Sequence, residues 1–189
     1  MNNGRLPQSD FLKAIKAVFS HLQQRSDVYS QWSIEELANP VSVELVCRQY
    51  IPATECLSAE GNVVVEYRIL YSDAYEVPLL LFRYQNADGY PLSSYPIPQL
   101  GGGDNFAITN LLAGISQIEH AHFGIPYFQF HPCKTAEMMQ QAVGQMHSNS
   151  VEYAVQYFLA WLSSIGSPLG LLLPQDLATI VCVASVDAV

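Results

Sequence analysis

The stretch Asn62-Val63-Val64-Val65-Glu66-Tyr67-Arg68-Ile69-Leu70-Tyr71 divides into two side-chain sets that alternate residue by residue. Val63, Val65, Tyr67 and Ile69 form one set; Val64, Glu66, Arg68 and Leu70 form the other. A period of two belongs to a β-strand, and the β-branched and aromatic residues suit one. Val77 to Tyr84 follows, with the apolar run Leu79-Leu80-Leu81-Phe82, and reads as a strand buried on both faces. Pro78 cannot donate to a ladder, so it must stand at the start of that strand or on a bulge. The short Ser72-Asp73-Ala74 link makes the pair a hairpin. Upstream, Val43 to Tyr50 is a third segment of strand composition.

Outward from this centre, Ser9 can cap a helix running from Asp10 to about Arg25. Its apolar stripe is Phe11, Leu12, Ile15, Val18, Phe19 and Leu22. Asp88-Gly89 marks a turn, and Pro91 to Asp104, with its prolines and consecutive glycines, is irregular. Phe106 to His122 fits either helix or strand. Pro126 to Phe130 reads as a short strand and Lys134 to His147 as a helix. Another helix, capped by Ser148 or Ser150, carries Val151, Ala154, Val155, Phe158, Leu159 and Leu162. It should end near Gly166, before Pro168. Leu169 to Val189 is apolar without a readable period. The expectation is an α+β fold, an antiparallel β-sheet flanked by α-helices. It would be a single domain over residues 1–189, with a core of about 9–166 and a tail of 167–189.

Composition narrows the function. With 189 residues, half of them hydrophobic, 11% aromatic and 13% charged, the chain is globular in character. Seventeen acidic residues against eight Lys and Arg give a net charge of −9, and no basic stripe exists to hold nucleic acid. No apolar run is long enough for a transmembrane segment, and Met1 to Asp10 lacks the apolar core of a signal peptide. The expected location is therefore the cytosol or nucleus. There the widely spaced Cys47, Cys56, Cys133 and Cys182 should be free thiols.

Cys133 stands out among them, in Phe130-His131-Pro132-Cys133-Lys134-Thr135, where a strand gives way to a helix. Unpaired N–H groups and the helix dipole at such a start favour a thiolate. Lys134 and a protonated His131 could add to that effect. The competing reading is a buried, inert thiol. Cys47, Cys56 and Cys182 read as structural. His120, His122, His131 and Cys133 invite a metal, yet their spacing matches no standard zinc pattern. No papain-like signature supports a Cys-His hydrolase, and Gly101-Gly102-Gly103 is not a phosphate loop.

Phe128-Gln129-Phe130-His131-Pro132-Cys133-Lys134-Thr135-Ala136-Glu137-Met138-Met139 resembles the active-site segment of the autophagy-related protein 10 family. Tyr75-Glu76-Val77-Pro78-Leu79-Leu80-Leu81-Phe82 and Asp88-Gly89-Tyr90-Pro91-Leu92 resemble that family's strand and following turn. The resemblance implies a ubiquitin-conjugating-enzyme-like core. It further implies an enzyme that accepts autophagy-related protein 12 as a thioester on Cys133 from the activating enzyme, autophagy-related protein 7. The cargo would pass to a lysine of autophagy-related protein 5, for autophagosome formation. Ordinary ubiquitin carriers use a His-Pro-Asn tripeptide to support this transfer, and this sequence has none. In the family that role maps onto a central-strand tyrosine, here Tyr75, and onto His131. Either could donate to an oxyanion, and His131 could also relay the lysine proton. Alternatively, Tyr75 is a sheet aromatic in water and His131 a structural prop for the turn.

The Tyr71-to-Gln85 hairpin could present a strand to the acceptor, with Tyr71, Tyr75 and Leu79 as contacts. The resemblance implies no cofactor or metal and a cytoplasmic protein, peripheral at the autophagosome assembly site. Contact with the lipid-conjugated modifier, autophagy-related protein 8, is a further expectation. The competing identities are the related autophagy-related protein 3 carrier, which shares His-Pro-Cys, and a non-catalytic interaction domain.

Overall fold

The computed structural model describes residues 3–23, 30–38, 42–52, 61–92, 114–143, 151–174 and 177. The alternating segment forms β3 (Val63–Ser72), paired antiparallel along its length with β4 (Val77–Asn86) and on its other side with β2 (Ser42–Ile51). Pro78 occupies the second position of β4, opposite Tyr71. On the far side of β4, β6 (Pro126–Phe130) pairs only at Leu81 and Phe82, so a proline at Pro78 interrupts no described ladder there. With β1 (Ser30–Leu37) and β5 (Ile115–Glu119), the sheet order is β1-β2-β3-β4-β6-β5, antiparallel throughout. Among the described residues, the helices α1 (Gln8–Gln23), α2 (Thr135–Val143) and α3 (Val151–Trp161) complete the α+β fold.

Several boundaries differ from the sequence-based expectation. β1 was not anticipated, because Glu35 and Glu36 dilute its apolar pattern. The ambiguous segment is strand at Ile115–Glu119. α1 begins at Gln8, so Ser9 lies inside the first turn, and the Pro7 carbonyl accepts from the N–H groups of Asp10 and Phe11. Arg25 falls outside the described residues, as do Ser148, Ser150, Cys56, Cys182 and Gly101 to Gly103. α2 starts one residue later than expected, after a single 3-10 turn at Pro132–Lys134.

After α3 the chain continues through a π-turn at Leu162–Gly166 and a 3-10 turn at Ser167–Leu169 that contains Pro168. Proline is tolerated in the first turn of a helix, where its missing N–H would lack a partner anyway. Gly170, at φ 87°, ends the run and donates to Ser167 O. The start of the tail is core. Leu169 and Leu171 are buried, Tyr67 Oη donates to Leu169 O, and Gln49 brackets Gly170 O and Leu172 N–H with its amide.

The two β-periodic sets have different fates. Val63, Val65, Tyr67 and Ile69 join Leu45, Phe82 and Tyr84 beneath Phe11, Ile15 and Phe158 of the helical layer. In the opposite set, which a period-two pattern would send to solvent, Glu66 and Arg68 are buried as well, and Val64 and Leu70 are half-buried. Arg68 is 3% exposed; its guanidinium donates to Glu35 (2.8 Å), Glu44 (2.9 Å) and Glu66 (3.1 Å) and lies 4.6 Å from the Phe123 ring centroid. Arg48 and Arg83 also reach Glu66, at 2.8 and 3.2 Å. Tyr127 Oη donates to Glu66 at 2.5 Å.

Burial by itself would raise the Glu66 pKa. The Tyr127 hydrogen bond and the Arg68, Arg83 and Arg48 charges overcome it and hold the carboxyl at about 2. A carboxylate depressed in the folded state stabilises fully above its unfolded value and loses that contribution as pH falls through the folded one. Stability should therefore fall by on the order of 2–3 kcal/mol between pH 5 and about 2 from this group. Urea titrations across that range should show a steeper pH dependence for the native sequence than for Glu66→Gln. Equal slopes would refute the assignment.

Candidate active site

The hairpin β5–β6 delivers the chain to Cys133. His131 N–H donates to Gly114 O, closing the mouth of that hairpin, and the backbone turns into the 3-10 element. Pro132 is buried and fixes the turn from inside, while Thr135 N–H donates to Pro132 O. His131 Nδ1 accepts from Cys133 N–H at 3.2 Å. A neutral imidazole accepting at Nδ1 carries its proton on Nε2, so that edge is a donor. Cys133 is exposed, which removes the buried-thiol reading; Cys47 is fully buried, and burial pushes its thiol pKa far up.

The β3–β4 hairpin brings the second component. Tyr75 lies in the turn at residues 73–76 rather than on a central strand, and is 39% exposed. Its ring meets the His131 ring edge to face, with centroids 5.6 Å apart and planes at 79°. Tyr75, more than fifty residues upstream in sequence, thus joins the turn that carries His131 and Cys133 through the His131 ring. The exposed Lys134 ammonium lies 3.4 Å from the Glu137 carboxylate.

The expected acceptor contacts are divided. Tyr71 packs at 5.5 Å on Phe11 and donates to Leu6 O. Its pKa is raised by burial first and by Glu76 and Asp73 next. Tyr71 and Leu79 line a cavity of about 390 Å³ with Glu44, Leu70, Ile118 and His120; Tyr75 is not part of that wall. Nor is the hairpin a free sheet edge: β3 and β4 are interior strands, because β2 and β6 flank them. Among the described residues β4 pairs with β6 only at Leu81 and Phe82; Val77 to Leu80 have no ladder partner on that side, while Tyr84 to Asn86 meet the returning residues Tyr90 to Leu92.

The histidines do not gather around a metal. His120 sits beyond Glu119↔Pro126, and His131 beyond Ile115↔Phe130, so the length of the hairpin, about 13 Å of strand rise, separates them. His120 is buried and lies 3.3 Å from Glu44, while its Nδ1 accepts from His122 N–H. Burial lowers its pKa, against the pull of Glu44. Among the described residues no three His, Cys, Asp or Glu side chains form a metal-binding group, and no helix is long and apolar enough to cross a membrane. Sequence reasoning missed the partnership of His120 with the Arg68 network; its only signal was the charged pair Glu66 and Arg68 inside an otherwise apolar strand.

Alkylation provides a direct check on the thiol environments. Brief iodoacetamide treatment of the native protein, mapped by peptide mass, should modify Cys133 at least about 100-fold faster than Cys47. Comparable rates would contradict the exposure difference.

The family model described as "Autophagocytosis associated protein, active-site domain" matches residues 11–176. The chain is 38% identical over 128 residues to the ubiquitin-like-conjugating enzyme ATG10 of Homo sapiens, covering 66% of this chain and 56% of that protein. It is 31% identical over 129 residues to the enzyme of the same name from Dictyostelium discoideum, covering 61% and 54%. The match thus spans little more than half the length of these curated relatives. A crystal structure titled as the autophagic E2, Atg10, superposes with a TM-score of 0.50 at 20% identity, covering 89% of this chain and 99% of that one. At that identity the likeness concerns the fold.

Proposed function

The chain belongs to the autophagocytosis-associated active-site domain family, and from that membership we propose that it is a ubiquitin-like conjugating enzyme with Cys133 as its acyl carrier. The observation that carries this reading is the exposed Cys133 thiol on a turn whose His131 meets Tyr75. The cargo would be autophagy-related protein 12, delivered by autophagy-related protein 7. The acceptor would be a lysine of autophagy-related protein 5, with the work done at the autophagosome assembly site.

In the charging step the Cys133 thiolate attacks the thioester carbonyl at the modifier's C-terminal glycine. A new C–S bond forms as the activating enzyme's thiolate leaves, so one thioester replaces another with little energy change. In the transfer step a lysine amine attacks the Cys133 thioester. The tetrahedral oxyanion collapses to an amide, Cys133 leaves as thiolate, and the amine proton passes to base or solvent. This second step needs orientation and a donor to the oxyanion. His131, with its proton on Nε2, and the Tyr75 hydroxyl supply candidate donors. The Nδ1 contact to Cys133 N–H favours donation over general-base action at that nitrogen. It also gives His131 a structural part, so the two roles coexist. We keep a carrier core of about 9–166 as the expectation; the family match over 11–176 overlaps it and extends into the start of the tail.

Charging assays test this directly. With activating enzyme, ATP and modifier, the native protein should give a reductant-sensitive adduct, Cys133→Ser a reductant-resistant one, and Cys133→Ala none. Tyr75→Phe and His131→Ala should charge normally, yet transfer to the acceptor lysine on the order of 10²-fold more slowly. Normal charging of Cys133→Ala would overturn the nucleophile assignment.

A further inference from the structure

The segment preceding α1 touches both halves of the Cys133–Tyr75 cluster. On one side, Leu6 N–H donates to Glu76 O at 2.9 Å, and the Arg5 guanidinium lies 2.7 Å from the Glu76 carboxylate. Glu76 follows Tyr75 directly and is the one described non-glycine residue with positive φ, at 55°. L residues rarely adopt that conformation, so it persists where the surroundings impose it. Here the Leu6 bond and a Glu76 N–H bond to Ser72 O (2.7 Å) do so. On the other side, Gly4 lies against α2 one turn after Cys133. A Cβ at Gly4 would run into the Ala136 carbonyl and the Gln140 N–H, and the φ of 72° excludes most other residues in any case.

Residues between these two contacts are anchored independently. Tyr157 Oη donates to Gly4 O at 2.6 Å, Tyr71 Oη donates to Leu6 O at 2.9 Å, and Gly4 and Leu6 are both buried. A short strap therefore links the turn bearing Tyr75 to the helix that begins beside Cys133. The exposed Arg5–Glu76 pair contributes little energy by itself, so the backbone contacts carry the link.

We infer that residues 4–6 form a clamp that sets Tyr75 against His131 and Cys133, with Gly4 and Glu76 acting as positioning residues for the transfer step. This rests on the proposed carrier function. Neither residue touches the reacting atoms. Each acts through Tyr75, so the clamp governs transfer to the amine and leaves thiol exchange at exposed Cys133 unaffected.

The test uses the full chain, charged with modifier and then mixed with free L-lysine as the amine probe, in single turnover. Gly4→Val should charge to the native extent, discharge roughly tenfold more slowly, and cause no additional slowing in a Tyr75→Phe background. Native discharge rates, or the same slowing in both backgrounds, overturn the clamp, because a merely structural lesion would act independently of Tyr75. If circular dichroism shows Gly4→Val unfolded, Glu76→Val decides. A β-branched residue opposes the left-handed conformation that this exposed turn holds at position 76, so it should slow discharge while charging is preserved; a native rate overturns the inference. Failure of the native protein to charge would instead remove the carrier reading, and the clamp's role with it.

Discussion

A two-residue ladder between β4 and β6 underlies the position of the exposed Cys133 thiol. Leu81↔Gln129 and Phe82↔Phe128 are the only described pairs between those strands, yet the turn that carries Cys133 follows directly from the strand they hold. So short a ladder specifies register weakly by itself, and a slip of one residue would exchange the two faces of β6. Side chains on both faces prevent it. On the helical side Phe128 stacks on Phe82, with centroids 5.8 Å apart. On the other, Tyr127 reaches across β4 to Glu66 of β3. A slipped strand would place a phenyl ring among buried charges and a phenol in the apolar core.

This makes the buried charge network part of the site's architecture, although none of its members touches Cys133 in the described contacts. Arg68, Glu66, Glu44 and Glu35 are costly to desolvate, and such clusters add little to net stability compared with apolar packing. Their value here is directional. Hydrogen bonds to Tyr127 and His120 hold the β5–β6 hairpin in one position over the sheet, where greasy contacts would permit several. His131 leaves that hairpin already oriented, and its Nδ1 contact carries the orientation to the Cys133 backbone.

Much of this was legible in the sequence. The period of two in Val63 to Tyr71, the hairpin to Val77 and the α1 stripe reported local physics, which the tertiary structure left intact. The Cys133 segment was legible for its position at a junction between strand and helix. What the sequence concealed depends on long-range contacts. The face bearing Glu66 and Arg68 alternates like a solvated surface, and only the return of Phe123, His120 and Tyr127 from a distant hairpin buries it. Tyr75 reads as a strand residue until its neighbour Glu76 adopts a positive φ that makes the turn. Pro168 reads as a terminator because a stop and a 3-10 continuation look alike from composition.

The fold assembles Tyr75 against His131, next to Cys133, before any partner arrives. Proton nuclear Overhauser spectra of the free protein measure this most directly. With ring centroids 5.6 Å apart, cross-peaks between the Tyr75 ring protons and the His131 imidazole C–H protons are expected. A folded protein whose assigned Tyr75 and His131 resonances showed no such cross-peaks would contradict a preassembled site.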